Sequence, residues 1–164
     1  MDSKLIDRRG AITFGGLAAA GILFGCGRAP AAEPQRFAFR LTDAQWKQRL
    51  SPAAYQVLRH EDTERPYSSP LNGEHRSGLF SCAGCGQKAF SSKTKFESGT
   101  GWPSFWAPLS KAVATTTDRS LMMERVEVHC ASCGGHLGHV FDDGPKPTGK
   151  RYCMNGVAMK FTPA

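Results

Sequence analysis

Four of the six cysteines in this chain fall into two knuckles, Cys82-Ala-Gly-Cys85-Gly and Cys130-Ala-Ser-Cys133-Gly, and no other feature restricts the fold as much. A Cys-x-x-Cys pair aims both sulfurs at one centre. The glycine that follows, Gly86 or Gly134, accepts positive φ, so that backbone amides can turn toward the thiolates. Together the pairs are predicted to supply Cys82, Cys85, Cys130 and Cys133 as the soft ligands of one tetrahedral, structural Zn²⁺ with no open position. The 44 residues between the pairs mean that the metal would join distant parts of one fold, unlike a compact finger. The competing reading is two disulfides, which an oxidising compartment would allow. The knuckle-plus-glycine pattern favours the metal, because a disulfide has no need of it.

The N-terminal residues 1–32 read as an export signal. Arg8-Arg9 precede an apolar run of small residues from Ala11 to Phe24, and Arg28-Ala-Pro-Ala-Ala32 follows. This is the charged start, short apolar middle and small-residue exit of a secretory signal, and the run is too short to span a membrane comfortably. The paired arginines suggest the twin-arginine route, an address rather than an anchor. Leu23-Phe-Gly-Cys26 also resembles a lipoprotein box, with Phe24 bulkier than usual. Cleavage near Ala31 gives a soluble periplasmic protein; lipidation of Cys26 gives a tethered one. From Glu33 onward 17 Lys/Arg face 12 Asp/Glu, a net charge of +5, which four zinc-bound thiolates and one Zn²⁺ would lower to +3. That excess does not argue for a nucleic-acid partner, which usually requires a clustered basic stripe. Residues 33–164 are expected to form one domain, acting as a monomer, small enough for a metal staple to add usefully to its stability.

The rest of the chain reads as mainly β with short N-terminal helices. Thr42-Asp-Ala-Gln45 has the form of a capping box, so a helix is expected from about Asp43 to Leu50. Ser51-Pro52 places a cap before a proline at the first helical position and starts a second helix, Ala53 to Arg59. From about Leu79 the pattern is one of short strands and loops. In Arg125-Val-Glu-Val-His-Cys130 the alternation predicts a strand with Val126, Val128 and Cys130 toward the core. In Arg151-Tyr-Cys-Met-Asn155 the same period puts Arg151, Cys153 and Asn155 on one face and Tyr152 with Met154 on the other.

With four cysteines assigned to metal and Cys26 to the export segment, Cys153 remains as a free thiol in a polar setting. Around it lie three blocks: Phe96-Glu-Ser-Gly-Thr-Gly-Trp-Pro-Ser-Phe105, His136-Leu-Gly-His-Val-Phe141 and Arg151-Tyr-Cys-Met-Asn155. Together they resemble the signature blocks of the B-type methionine-R-sulfoxide reductases, with the four metal cysteines in that family's order. The resemblance covers roughly residues 41–162. It implies a fold of two antiparallel sheets, a β-tent, with zinc at one end remote from the reactive thiol. It further implies reduction of the R epimer of methionine sulfoxide in oxidised proteins.

The chemistry of the residues agrees with that implication. Reducing a sulfoxide needs a nucleophile at sulfur and a proton for oxygen. Cys153 would be the nucleophile; a thiol of pKa about 8.5 is only a few per cent ionised at neutral pH, so a nearby cation or donor helps. Arg151 shares its strand face, and an ion pair with Asp142 or Asp143 is its alternative employment. His139 is the natural proton donor, with His136 and Asn155 orienting it or a water, as similar proteins imply. Residues 136 and 139 would face opposite sides of a regular strand, and a bend at Gly138 would let both point into one site. The resemblance makes Trp102 a wall against the substrate's methyl group, discriminating the two epimers. Phe141 is read equally as pocket lining or core. Attack at sulfur leaves methionine free and Cys153 as a sulfenic acid. Many family members resolve it with a cysteine at the position held here by Thr100, so an external thiol, a periplasmic thioredoxin-like protein, is expected to reduce Cys153 directly. Two rival classes explain less. A zinc-ribbon binding module leaves His136, His139, Cys153 and Asn155 unused. A thiol-disulfide oxidoreductase would place its reactive cysteine in a Cys-x-x-Cys motif.

Overall fold

The computed structural model describes residues 37–120 and 123–164, so the expected export segment and Cys26 lie outside the described residues. The first helix, α1 (Asp43–Arg49), starts at the expected capping box: the Thr42 hydroxyl accepts from Gln45 N–H at 3.3 Å and the Gln45 amide oxygen accepts from Thr42 N–H at 2.8 Å. It stops at Leu50 because Ser51 caps a second helix, α2 (Pro52–His60), accepting from Ala54 N–H at 3.2 Å. Trp46 of α1 is buried, and so is the stripe Ala54, Val57 and Leu58 of α2, spaced at three and four residues as an amphipathic helix requires. The chain leaves α2 through Glu61 in the left-handed region.

Nine strands follow among the described residues, all paired antiparallel in two sheets. The smaller sheet has the order β2-β1-β9, from Lys88–Ser91, Gly78–Cys82 and Met159–Pro163. The larger has the order β3-β4-β8-β7-β6-β5: Lys95–Phe96, Ser104–Phe105, Arg151–Met154, His136–Phe141, Arg125–Cys130 and Val113–Asp118. The expected two-sheet, mainly β architecture with short helices is therefore present. Three rings join the sheets: Phe80 and Phe90, cross-strand partners in the smaller sheet, both pack on Phe105 of the larger at centroid distances of 4.9 and 4.5 Å. All three are fully buried, with Leu58, Leu137, Met154 and Val128 continuing the same core. Burial of this kind contributes about 1.5–3 kcal/mol per large apolar side chain.

One expectation fails in β6. Val128 and Cys130 are fully buried as expected, but Val126 is 40 % exposed. The apolar core stops at Val128, and at the outer edge of the larger sheet the face that carries Val126 runs past it. The opposite face of β6 is half-buried at Arg125 and Glu127 and closed at His129. Polar residues inside on that side are the first structural sign of a site.

Candidate active site and metal centre

Register assembles the site. Across the larger sheet Ser104 lies opposite Cys153, Cys153 opposite His139, and His139 opposite Glu127, so residues from β4, β8, β7 and β6 share one face in one row. The next row carries Arg151 opposite Phe141, and Asp118 of β5 opposite Arg125 of β6. A β-bulge supplies the bend expected at Gly138: Val128 pairs with Gly138 but His129 with His136, leaving Leu137 as the extra residue. That extra residue turns His136 to the side of His139, and the two rings stand edge to face at 5.3 Å. Gly138 is required there, since a Cβ would lie 2.1 Å from the carbonyl oxygen of Cys153.

Cys153, His139, Asn155, Trp102 and Phe141 line one pocket of about 130 Å³, together with Thr63, Arg125 and Gly138. Burial pushes the Cys153 thiol up, and a hydrogen bond with Thr100 and the charge of Arg151 partly offset it. The Thr100 hydroxyl stands 3.7 Å from Cys153 Sγ and is held by Ser98 at 2.9 Å; Ser98 in turn reaches Ser104 at 2.7 Å. Arg151 does make an ion pair, with Asp143: both of its bonds to that carboxylate measure 2.8 Å, and its guanidinium lies 4.4 Å from the centre of the Phe141 ring. Phe141 is thus half-buried pocket lining, stiffened by a cation–π contact.

His139 Nε2–H donates to Asp118 at 2.8 Å. The carboxylate is the acceptor, because bonds from Ser120, His139 and Arg125 hold Asp118 well below the usual carboxylate range. Burial lowers the His139 pKa, against the opposing effect of Asp118. His136 is 2 % exposed and lies behind His139 rather than in the pocket wall. Its Nδ1–H donates to Glu127 at 2.9 Å, and His129 approaches the same carboxylate at 3.7 Å. Burial pushes the Glu127 carboxyl up, but the two histidines outweigh it and hold it at about 2.

Glu64 ties the opposite wall together. Its carboxylate accepts from the N–H groups of Gly156 and Val157 at 2.6 and 2.9 Å, its own N–H donates to the Asn155 side chain at 3.0 Å, and its carbonyl accepts from the Trp102 indole at 3.1 Å. Asn155 is 3 % exposed and completes its bonding by donating to the Leu137 carbonyl at 3.3 Å. Asp118, Arg125, Glu127 and Glu64 have no place in the sequence reading. The only signal for Arg125 and Glu127 is their alternation with the valines of β6; Asp118 and Glu64 carry none.

The four knuckle cysteines also come together. Cys82 ends β1 and Cys130 ends β6, so the cluster joins the two sheets, and all four Sγ atoms lie within 4.8 Å of one another. Cys85 and Cys130 are 3.5 Å apart and Cys82 and Cys133 3.8 Å, with no disulfide among the described cysteines. Four sulfurs at about 2.3 Å from one ion would stand about 3.8 Å apart in a tetrahedron, so the donor set fits a structural metal. Gly86 and Gly134 do adopt positive φ, but their own amides bond the carbonyls of Cys82 and Cys130 at 2.9 Å rather than the thiolates. By register the cluster is remote from Cys153: three residues along β6 and two strands across amount to roughly 14 Å.

A sequence profile of the SelR domain matches residues 50–163. The peptide methionine sulfoxide reductase MsrB of Methanosarcina mazei is 53 % identical over 122 residues, 74 % of this chain and 87 % of that protein. The protein of the same name from Agrobacterium fabrum is 49 % identical over 123 residues, 74 % of this chain and 91 % of its own length. The chloroplastic peptide methionine sulfoxide reductase B1 of Arabidopsis thaliana is 48 % identical over 131 residues, 79 % of this chain and 64 % of that one.

Proposed function

The chain belongs to the SelR domain family, and on that premise we propose that it reduces the R epimer of methionine sulfoxide in oxidised polypeptides, with Cys153 as the nucleophile. Membership makes it an oxidoreductase acting on sulfur, a methionine sulfoxide reductase. The observation that carries the finer reading is the single pocket shared by Cys153, His139, Asn155, Trp102 and Phe141. Its volume of about 130 Å³ is close to the roughly 150 Å³ of a cavity that holds benzene, so it has room for the five heavy atoms of a methionine sulfoxide side chain.

The Cys153 thiolate attacks the sulfoxide sulfur while the oxygen takes a proton. Thr100 donates to the thiolate, and Arg151 favours it electrostatically. His139, with Nε2 committed to Asp118, offers Nδ1 to the oxygen, and the ionised Asp118 stabilises the imidazolium from which the proton comes. His136 and Asn155 hold that face in place. As the Sγ–S bond forms the S–O bond breaks and the doubly protonated oxygen leaves as water; a water then attacks Sγ, breaks the Sγ–S bond and releases methionine, so that methionine sulfur gains two electrons, Cys153 loses two and ends as a sulfenic acid. Trp102 and Phe141 wall the methyl group, so the inverted epimer would drive its methyl or its oxygen into a ring. With Thr100 opposite Cys153 and the other described cysteines gathered in the metal cluster, an external dithiol returns the sulfenic acid to thiol and releases water, a task suited to a thioredoxin-like donor. The four-cysteine cluster would hold one Zn²⁺, which supplies no chemistry to this pocket and staples the two sheets.

Supplying dithiothreitol and the separated R and S epimers of a methionine sulfoxide peptide tests the reading: consumption of R alone supports it, and consumption of S, or of neither, refutes it. Oxidation with one equivalent of substrate should yield a trappable sulfenic acid at Cys153; an intramolecular disulfide to a knuckle cysteine would overturn the recycling step. Residues 1–32 are proposed to direct export to the periplasm, with removal near Ala31 or acylation of Cys26, and the mass of the mature N-terminus decides between them.

A further inference from the structure

Beside the catalytic pocket lies a second, larger cavity of about 650 Å³ between α2 and the turn that leads into β9. Its floor is apolar, made by Val57, Leu71, Val157 and Met159, and Pro52 and Ala53 form the wall on the α2 side. Gln56, Thr63 and Ser68 stand around it with side chains able to bond a polypeptide main chain. Thr63 lines both cavities, and Glu64, next to it in the groove wall, accepts the Trp102 indole N–H through its carbonyl. The two spaces thus share Thr63 in their walls.

We propose that this groove binds the apolar residues that flank methionine sulfoxide in an extended segment of oxidised polypeptide, so that apolar neighbours at those positions raise kcat/KM. The inference rests on the pocket being the sulfoxide site. A pocket the size of one side chain leaves the substrate's main chain at its mouth, where Thr63 begins the groove. An extended chain advances about 3.3 Å per residue, so neighbours one to three positions from the sulfoxide fall over the groove floor. Methionine is commonly a core residue, and its oxidation disrupts cores, so the segments such an enzyme meets carry apolar neighbours. The recess also suits a single strand better than the convex face of a folded protein donor.

The experiment uses the full mature protein, dithiothreitol as reductant, and two substrate sets. One is a capped methionine-R-sulfoxide; the other is a series of heptapeptides with Leu or Ser placed at each neighbouring position in turn. Two variants fill the groove from exposed positions on α2, Ala53→Trp and, should that variant fold poorly, Gln56→Trp. The expected result is kcat/KM about tenfold higher for Leu than for Ser at one or two positions, as burial of one such side chain implies. The variants should erase that advantage and leave the capped amino acid unchanged. No Leu preference in the unmodified protein, a preference that survives both variants, or an equal loss on the capped amino acid would each overturn the proposal. So would a loss seen only when a thioredoxin-fold donor replaces dithiothreitol, which would assign the groove to the donor. Failure of the unmodified protein to consume the capped sulfoxide would instead refute the reductase reading itself.

Discussion

Replacing Glu64 by Gln removes a charge and little else, and the structure says what should follow. The carboxylate holds two N–H groups, of Gly156 and Val157, at 2.6 and 2.9 Å. Glutamine keeps one acceptor oxygen and turns an NH₂ toward the second N–H, so one bond is lost outright and the other loses its charge assistance. Hydrogen bonds to charged groups contribute about 1.5–3 kcal/mol, so E64Q should destabilise the fold by about 2–3 kcal/mol. For a domain of this size, at about 4 °C per kcal/mol, that is a fall in Tm of about 8–12 °C. The same residue's main chain bonds Asn155 and Trp102, and a displacement of about 1 Å at such positions can cost about a hundredfold in rate. Thermal and urea unfolding followed by circular dichroism, with kcat/KM measured at a temperature where both proteins are folded, reads both effects. A Tm within about 2 °C of the parent together with unchanged kcat/KM would refute the reasoning. A lower Tm with unchanged activity would leave Glu64 a brace of the turn and deny it any part in positioning the pocket.

The pH dependence of kcat/KM should form a broad plateau. The productive form pairs the Cys153 thiolate with protonated His139, and since burial lowers the His139 pKa and raises that of Cys153, the acid limb should lie below the ordinary histidine range and the alkaline limb above the ordinary thiol range. Asp118→Asn removes a group that raises the His139 pKa, so the acid limb should move to lower pH and the plateau should drop about tenfold or more; an acid limb that stays in place would deny the Asp118–His139 coupling. Purified protein should hold one equivalent of zinc. Stripping it with a chelator, or Cys82→Ser, should lower Tm by well over about 10 °C, since such sites contribute about 10–16 kcal/mol to folding. Metal well below one equivalent, with only Cys153 titrating as a free thiol, would point to disulfides instead. Thr100→Cys should add an intramolecular disulfide after one turnover, visible by mass spectrometry, because the Thr100 hydroxyl already stands 3.7 Å from Cys153 Sγ.

Local chemistry was legible in the chain. The capping box at Thr42, the proline start of α2, the alternation that separates Met154 from Cys153 and the four knuckle cysteines all depend on neighbours within a few residues, and each stands in the structure as read. Gly138 marked a bend, but not that the bend is a bulge at Leu137, nor that it seats His136 behind His139 against Glu127. The tertiary structure alone decided the residues that reach the site across strands. Asp118 lies 21 residues from His139 in sequence and meets it only through the β5–β6–β7 register, and Glu64 reaches Gly156 over 92 residues. Val126 was assigned to the core because alternation states which side a residue faces, whereas burial depends on whether another layer covers that side. The sequence determined the reactive groups, a thiol, two histidines and four cysteines spaced for a metal, because reactivity belongs to side chains. Their partners, their protonation and the apolar groove beside them came from packing, because hydrogen-bond partners and desolvation exist only once distant strands lie side by side.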